Sequence, residues 1–153
     1  VCTMLRDYTL KYGIPSIFKE FSSLLSEIKS GYDQGLSEAS VLEKINNIEI
    51  LVIDELGKGR KSEWEINILD IIISNRYNMR KTTIFTTNYT DSKFTSHAEP
   101  LLLRESKDGN GETVRKETLE QRVFPRIYSR LKGMCDFIEM KGSDFRHPHE
   151  FSA

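Results

Sequence analysis

"ILVIDELGKG", residues Ile50–Gly59, is the stretch that decides the fold. Ile50 to Ile53 are apolar without alternation, and three of the four are β-branched. A run of this kind reads as a strand buried on both faces, the pattern of a parallel sheet rather than of a sheet with one wet face. The run then ends on two adjacent carboxylates, Asp54 and Glu55. Parallel α/β sheets bind their ligands at the carboxyl ends of their strands, so the pair stands where a site belongs.

Working outward, helical and strand patterns alternate. Val1–Tyr12 predicts an amphipathic helix with Val1, Met4, Leu5 and Tyr8 on one face and Gly13 as its C-terminal cap. Ile14–Glu20 reads as a strand. Ser22 caps a second helix that carries Leu24, Leu25 and Ile28 inward, and Ser37 opens a short third one with Val41, Leu42 and Ile45. Ser62 with Glu65 forms a capping box for a long helix ending near Arg80–Lys81, its stripe made of Ile66, Leu69, Ile72 and Ile73. "TTIFTTN", Thr82–Asn88, is a further strand with a polar end. Thr118 with Gln121 opens a helix that restarts at Pro125 and is capped by Gly133, and "MCDFIEMKG" reads as a last short strand. Between them, Asn110-Gly111 suggests a protruding hairpin within Leu101–Arg115. This alternation predicts an α/β fold of three layers around a parallel sheet.

Composition fits one such domain. The chain has 153 residues, 38% hydrophobic and 29% charged, with a formal net charge of −1. The balance gives no global pull towards nucleic acid or membrane, so any basic patch is local. No apolar run approaches the roughly 18 residues of a membrane span, and no signal peptide is visible. Cys2 and Cys135 are far apart and form no metal-like pair, which favours a reducing, cytoplasmic setting.

Two strands thus end in polar groups at one edge, one in Asp54-Glu55 and the other in Thr86-Thr87-Asn88. A hydrophobic strand feeding Asp-Glu is the Walker B pattern of nucleotide-hydrolysing P-loop proteins. In that reading Asp54 holds Mg²⁺, which favours few carboxylates plus substrate phosphates. Glu55 orients the attacking water, and Asn88 hydrogen-bonds that water or the γ-phosphate. Taken singly, a strand ending in Ile-Asp-Glu is common and Asn is a routine turn residue. The order strand, carboxylates, helix, strand, Asn is what joins them.

At this point "ILVIDELG", "SNRYNMRKTTIFTTNYT" and "RIYSRLKGMCDFIEMKGSDFR" together resemble the AAA+ ATPases of the DnaC/IstB type, a group of bacterial and phage helicase loaders and transposase helper ATPases. The resemblance runs over residues 1–146 and leaves 147–153 as a tail. It implies a three-layer P-loop NTPase core, with a five-stranded parallel sheet in the order 5-1-4-3-2. It implies ATP and Mg²⁺ as ligands. It implies a replicative DNA helicase and single-stranded DNA as partners, or a transposase for the other branch. Asn88 matches the sensor 1 position. Arg130 matches the arginine finger that reaches a neighbouring subunit's γ-phosphate, with Arg126 one turn earlier as a second candidate, so self-association through the Arg130 face is implied. Read without the resemblance, both arginines sit on a solvated helix face backed by Ile127 and Leu131.

The resemblance also implies a phosphate-binding loop, G-x-x-x-x-G-K-[ST], and no such motif occurs in the 153 residues. The expectation is that this loop and the first strand belong immediately before Val1, which would make the residues in hand a partial domain. A non-catalytic binding module is the competing expectation. Lys58, Arg60 and Lys61 form a basic loop that could touch single-stranded DNA or stand as a solvated turn.

Overall fold

The computed structural model describes residues 2–91 and 117–142. The anticipated hairpin and the 147–153 tail lie outside the described residues. Among the described residues nine elements follow one another: α1 (Cys2–Tyr12), β1 (Ser16–Glu20), α2 (Phe21–Asp33), α3 (Glu38–Asn47), β2 (Ile50–Asp54), α4 (Glu63–Asn78), β3 (Thr82–Phe85), α5 (Leu119–Val123) and α6 (Pro125–Met134).

The strands form one parallel sheet in the order β1-β2-β3, as the implied second, third and fourth strands would. Register places Ile17, Leu51 and Thr83 in one row and Phe18, Val52 and Ile84 in the next. Side chains alternate across a strand, so these rows face opposite ways. On the first face Leu51 and Ile53 join the main core with Leu24, Leu25 and Ile28 of α2, Leu42 and Ile45 of α3, Ile68, Leu69, Ile72 and Ile73 of α4, and Ile127 and Leu131 of α6. On the second face Val52 is fully buried between Phe18 and the exposed Ile84. There Thr9 of α1 meets the Ser16 hydroxyl at 2.6 Å.

Local chemistry starts the helices as expected. The Ser37 side chain accepts from Ser40 N at 3.2 Å. Ser62 and Glu65 exchange bonds of 3.3 Å, and Thr118 and Gln121 do the same at 3.3 and 2.9 Å. Gly13, at φ 67°, ends α1 as a left-handed cap.

Five expectations are corrected. α1 buries none of its residues: it touches β1, which leaves Leu5 partly covered but Met4 77% exposed. α2 starts at Phe21 with Glu20 as its N-cap, because β1 runs straight into the helix; Ser22 instead donates its hydroxyl to the Glu20 carboxylate. α4 stops at Asn78, since Arg80 takes a left-handed φ of 53° that no helix continues through. Gly133 lies inside α6, which runs on to Met134. Finally, residues 135–141 form no strand. A strand exists only through a partner's hydrogen bonds, and no described strand runs beside this segment. Ile138 and Met140 are accordingly exposed, while Phe137 packs edge-on against Tyr128 at 6.1 Å. No helix among the described residues is long and apolar enough to cross a membrane.

Arg76 holds the far end of the sheet together. Its side chain is fully buried in α4. The guanidinium donates to the carbonyls of Ile45 (2.9 Å), Asn46 (3.2 Å), Ile48 (2.9 Å), Glu49 (3.5 Å) and Thr82 (2.7 Å), and to the Thr83 hydroxyl (2.8 Å). The end of α3, the entry to β2 and the start of β3 thus meet on one side chain. Burial lowers its pKa to about 10, with Glu49 opposing the shift, so it stays charged at neutral pH.

Candidate functional site

The carboxyl ends of the three strands converge. Glu20 ends β1 in register with Asp54, which ends β2. Beyond β3, Thr86 clasps Asp54 and the backbone of Glu55. Its hydroxyl donates to Asp54 Oδ1 and accepts from the Glu55 backbone N–H at 3.0 Å. Its own N–H donates to the Ile53 carbonyl at 3.1 Å, and its carbonyl accepts from Leu56 N at 2.7 Å. The Thr87 hydroxyl adds a bond to the Leu56 carbonyl at 2.9 Å. This cross-bracing fixes where the Asp54 carboxylate points and leaves Oδ2 outside the clasp.

Glu55 leaves the strand at φ 56°, a left-handed conformation uncommon for a residue with a side chain. The tight turn it starts closes with Lys58 N donating to the Glu55 carbonyl at 2.9 Å. Gly57 follows at φ 87°, where an added Cβ would lie 2.8 Å from Arg122 Cγ, so only glycine fits without displacement. The turn lifts the Glu55 carboxylate off the sheet and pairs it with Lys58, which also meets Glu20 Oε1 at 3.3 Å. The lysine pKa is raised by these partners, the Glu55 hydrogen bond first.

Glu20 is held far below the usual carboxylate range, at about 2, chiefly by the Ser22 hydroxyl, then by Ser23 at 2.9 Å, with Lys58 a smaller contributor. A lowered carboxylate pKa favours the folded state above the ordinary value of 4.5, and that advantage fades as pH falls towards 2. Carboxyl-detected NMR titration is expected to place Glu20 near 2, with Ser22→Ala raising it more than Lys58→Ala does. A larger rise in Lys58→Ala would show that the ion pair, not the hydroxyls, controls this group.

The other expected residues fall as follows. Asn88 lies exposed at the same edge, two residues past Thr86. Arg126 and Arg130 are not brought to Asp54 or Glu55; both pair with Asp70 of α4, Arg130 at 3.2 Å. Of the basic loop, Lys61 pairs with Glu117 at 2.7 Å and sits 5.3 Å over the Phe124 ring, and Arg60 is exposed. Among the described residues no group of three or more His, Cys, Asp or Glu side chains could hold a metal by itself. A single carboxylate completed by phosphates and water is the arrangement Mg²⁺ prefers, and Asp54 with Oδ2 outside the clasp fits it.

Sequence reasoning passed over Arg122. Its Nε donates to the Gly57 carbonyl at 2.5 Å and another nitrogen to Gly59 O, while a third reaches Glu117 at 3.3 Å. The guanidinium stands 5.4 Å over the Tyr89 ring. One half-buried arginine thus anchors the loop behind Glu55. The available signal was a cation set between the buried Leu119 and Val123 on so short a helix.

The three-stranded parallel sheet, with Asp54 clasped at its carboxyl edge, matches the α/β core of AAA+ P-loop NTPases. Within that class the chain is similar to the helicase loader DnaC. It matches the crystal structure of the DnaC helicase loader with a TM-score of 0.60 and 29% identity, covering 84% of this chain and 62% of that one. The replicative helicase loader DnaC of Buchnera aphidicola subsp. Baizongia pistaciae (strain Bp) is 25% identical over 85 residues, 54% of this chain and 35% of the relative. DnaA from Aquifex aeolicus, in an AMPPCP-bound structure, shares the fold at a TM-score of 0.51 and 16% identity, covering 83% of this chain and 39% of that one. No family model matches. The chain therefore spans about a third of the curated relative's length.

Proposed function

We propose that this chain is the hydrolytic part of a helicase-loader ATPase of DNA replication, working in the cytoplasm as an oligomer on a replicative helicase and single-stranded DNA. The observation that carries the reading is the Thr86 clasp on Asp54 and Glu55 at the sheet's carboxyl edge, in a chain similar to DnaC. Asp54 is the residue to hold Mg²⁺, which when bound neutralises phosphate charge. Glu55, once freed from Lys58, orients and polarises the attacking water. Asn88 lies at the same edge, in reach of a role as the polar reporter of the γ-phosphate. Arg130, with Arg126 beside it, serves a neighbouring copy's site, since a guanidinium is always charged and fork-shaped. The phosphate cradle is no part of the 153 residues, so the reading requires one from outside them. Lys58, Arg60 and Lys61 are the residues for single-stranded DNA.

Protein expressed from its whole reading frame is expected to hydrolyse ATP and to retain the replicative helicase in a pull-down. Retention of a transposase instead would move the protein to the IstB-type branch. Absence of Mg-ATP binding and turnover would leave a binding module and overturn the proposal.

A further inference from the structure

α6 packs along α4, and its two arginines meet one acid there. Asp70 accepts from Arg126 on one carboxylate oxygen and from Arg130 on the other, at 3.2 Å for Arg130. The Ser74 hydroxyl donates to the same Oδ1 at 3.3 Å. The acid is 13% exposed, Arg130 33% and Arg126 72%, so the least exposed member is the carboxylate that both cations share.

Two arginines one turn apart repel each other when left alone. Asp70 cancels one charge and leaves the cluster with an excess of one. Each guanidinium spends a single terminal nitrogen on it, although the group carries five N–H donors. Among the described residues most of both forks therefore remains available, on the flank of α6 that adjoins the buried Ile127 and Leu131. A clamp meant only to join two helices would gain more from a bidentate pair. Sharing one carboxylate between two cations holds both in place and leaves a positive face with unspent donors.

We infer that Asp70 is a positioning residue, which fixes Arg126 and Arg130 on α6 in the orientation that offers Arg130 to the phosphates bound by an adjacent copy. The inference rests on the proposed ATPase reading and adds to it the group that orients the arginines. Pre-orientation matters because a flexible guanidinium otherwise has to be ordered during the reaction.

The test uses protein from its whole reading frame, with Asp70→Asn, Asp70→Glu, Arg130→Ala and the double variant Asp70→Asn/Arg126→Gln. Asp70→Asn is expected to lower kcat about tenfold or more while leaving KM for ATP within about twofold. Asp70→Glu, which keeps the charge, is expected to recover part of that loss. A readout apart from turnover is self-association in AMPPCP followed by sedimentation, which Asp70→Asn is expected to weaken. The double variant removes the arginine repulsion that could unfold the single one, and is expected to show the same kcat loss. Wild-type kcat and association in Asp70→Asn or in the double variant, with Arg130→Ala inactive, would overturn the role of Asp70 and leave the ATPase reading standing. Wild-type turnover in Arg130→Ala would remove the Arg130 assignment on which the inference depends.

Discussion

Replacing Arg76 by leucine is expected to cost about 3–5 kcal/mol of folding stability, the upper range for single substitutions and one reached by breaking a buried hydrogen-bond network. Five backbone carbonyls and the Thr83 hydroxyl now receive its donors. Leucine fills part of the volume but donates nothing, and each buried acceptor left unpaired costs on the order of 1–3 kcal/mol. Those acceptors belong to the end of α3, the entry of β2 and the start of β3, so the loss falls where three segments converge. With total stabilities near 5–15 kcal/mol, this takes a large share. Urea unfolding followed by circular dichroism is the measurement. At an m-value of roughly 1–3 kcal/mol per molar, the midpoint should fall by about 2 M. Arg76→Lys should also lose stability, because three donors on one nitrogen cannot span acceptors so widely spread. A leucine variant with an unchanged midpoint would show that these carbonyls find water instead, and that Arg76 is dispensable.

Arg76 also marks the boundary of what was legible in the sequence. β2 and its terminal carboxylates could be read because a buried parallel strand must be continuously apolar, and the change to Asp54-Glu55 is abrupt. The helix starts at Ser37, Ser62 and Thr118 could be read because capping partners lie within three residues. Arg76 sits among polar neighbours, and only the folded chain brings Ile45 to Glu49 against it. Asp70 and Arg122 are alike in this respect, since the arginines that meet Asp70 and the Gly57 and Gly59 carbonyls that meet Arg122 lie more than fifty residues away. Periodicity also gave α1 an inward face without saying whether anything covers it. The segment at 135–141 has strand-like composition, yet pairing is a tertiary event that composition cannot supply. For the site, position along the chain indicates Asp54, Glu55 and Asn88, whereas Thr86 reads there only as part of the polar end of its strand and not as the residue that fastens the Asp54 carboxylate.

Glu55→Gln is expected to reduce ATP turnover by about 100-fold or more in protein from the whole reading frame, with nucleotide binding kept. The substitution preserves the shape of the side chain and its left-handed backbone, because the turn is held by Thr86, Gly57 and Arg122 rather than by the carboxylate. It removes the charge that polarises a water, and proton handling by a positioned side chain contributes roughly 10²–10⁴ in rate. It also removes one of the two carboxylates that Lys58 bridges, which leaves the lysine to Glu20 alone. That loss should be small, since Lys58 is exposed and solvent-accessible pairs contribute little. Binding and chemistry therefore separate cleanly at this position. Asp54→Asn should behave differently, weakening Mg-dependent nucleotide binding itself, because Asp54 is fixed by Thr86 with one oxygen outside the clasp. Steady-state turnover and a nucleotide titration on the same samples distinguish the two variants. Full turnover in Glu55→Gln would take the water-activating role away from this residue and leave the clasped Asp54 as the only carboxylate of β2 in the site.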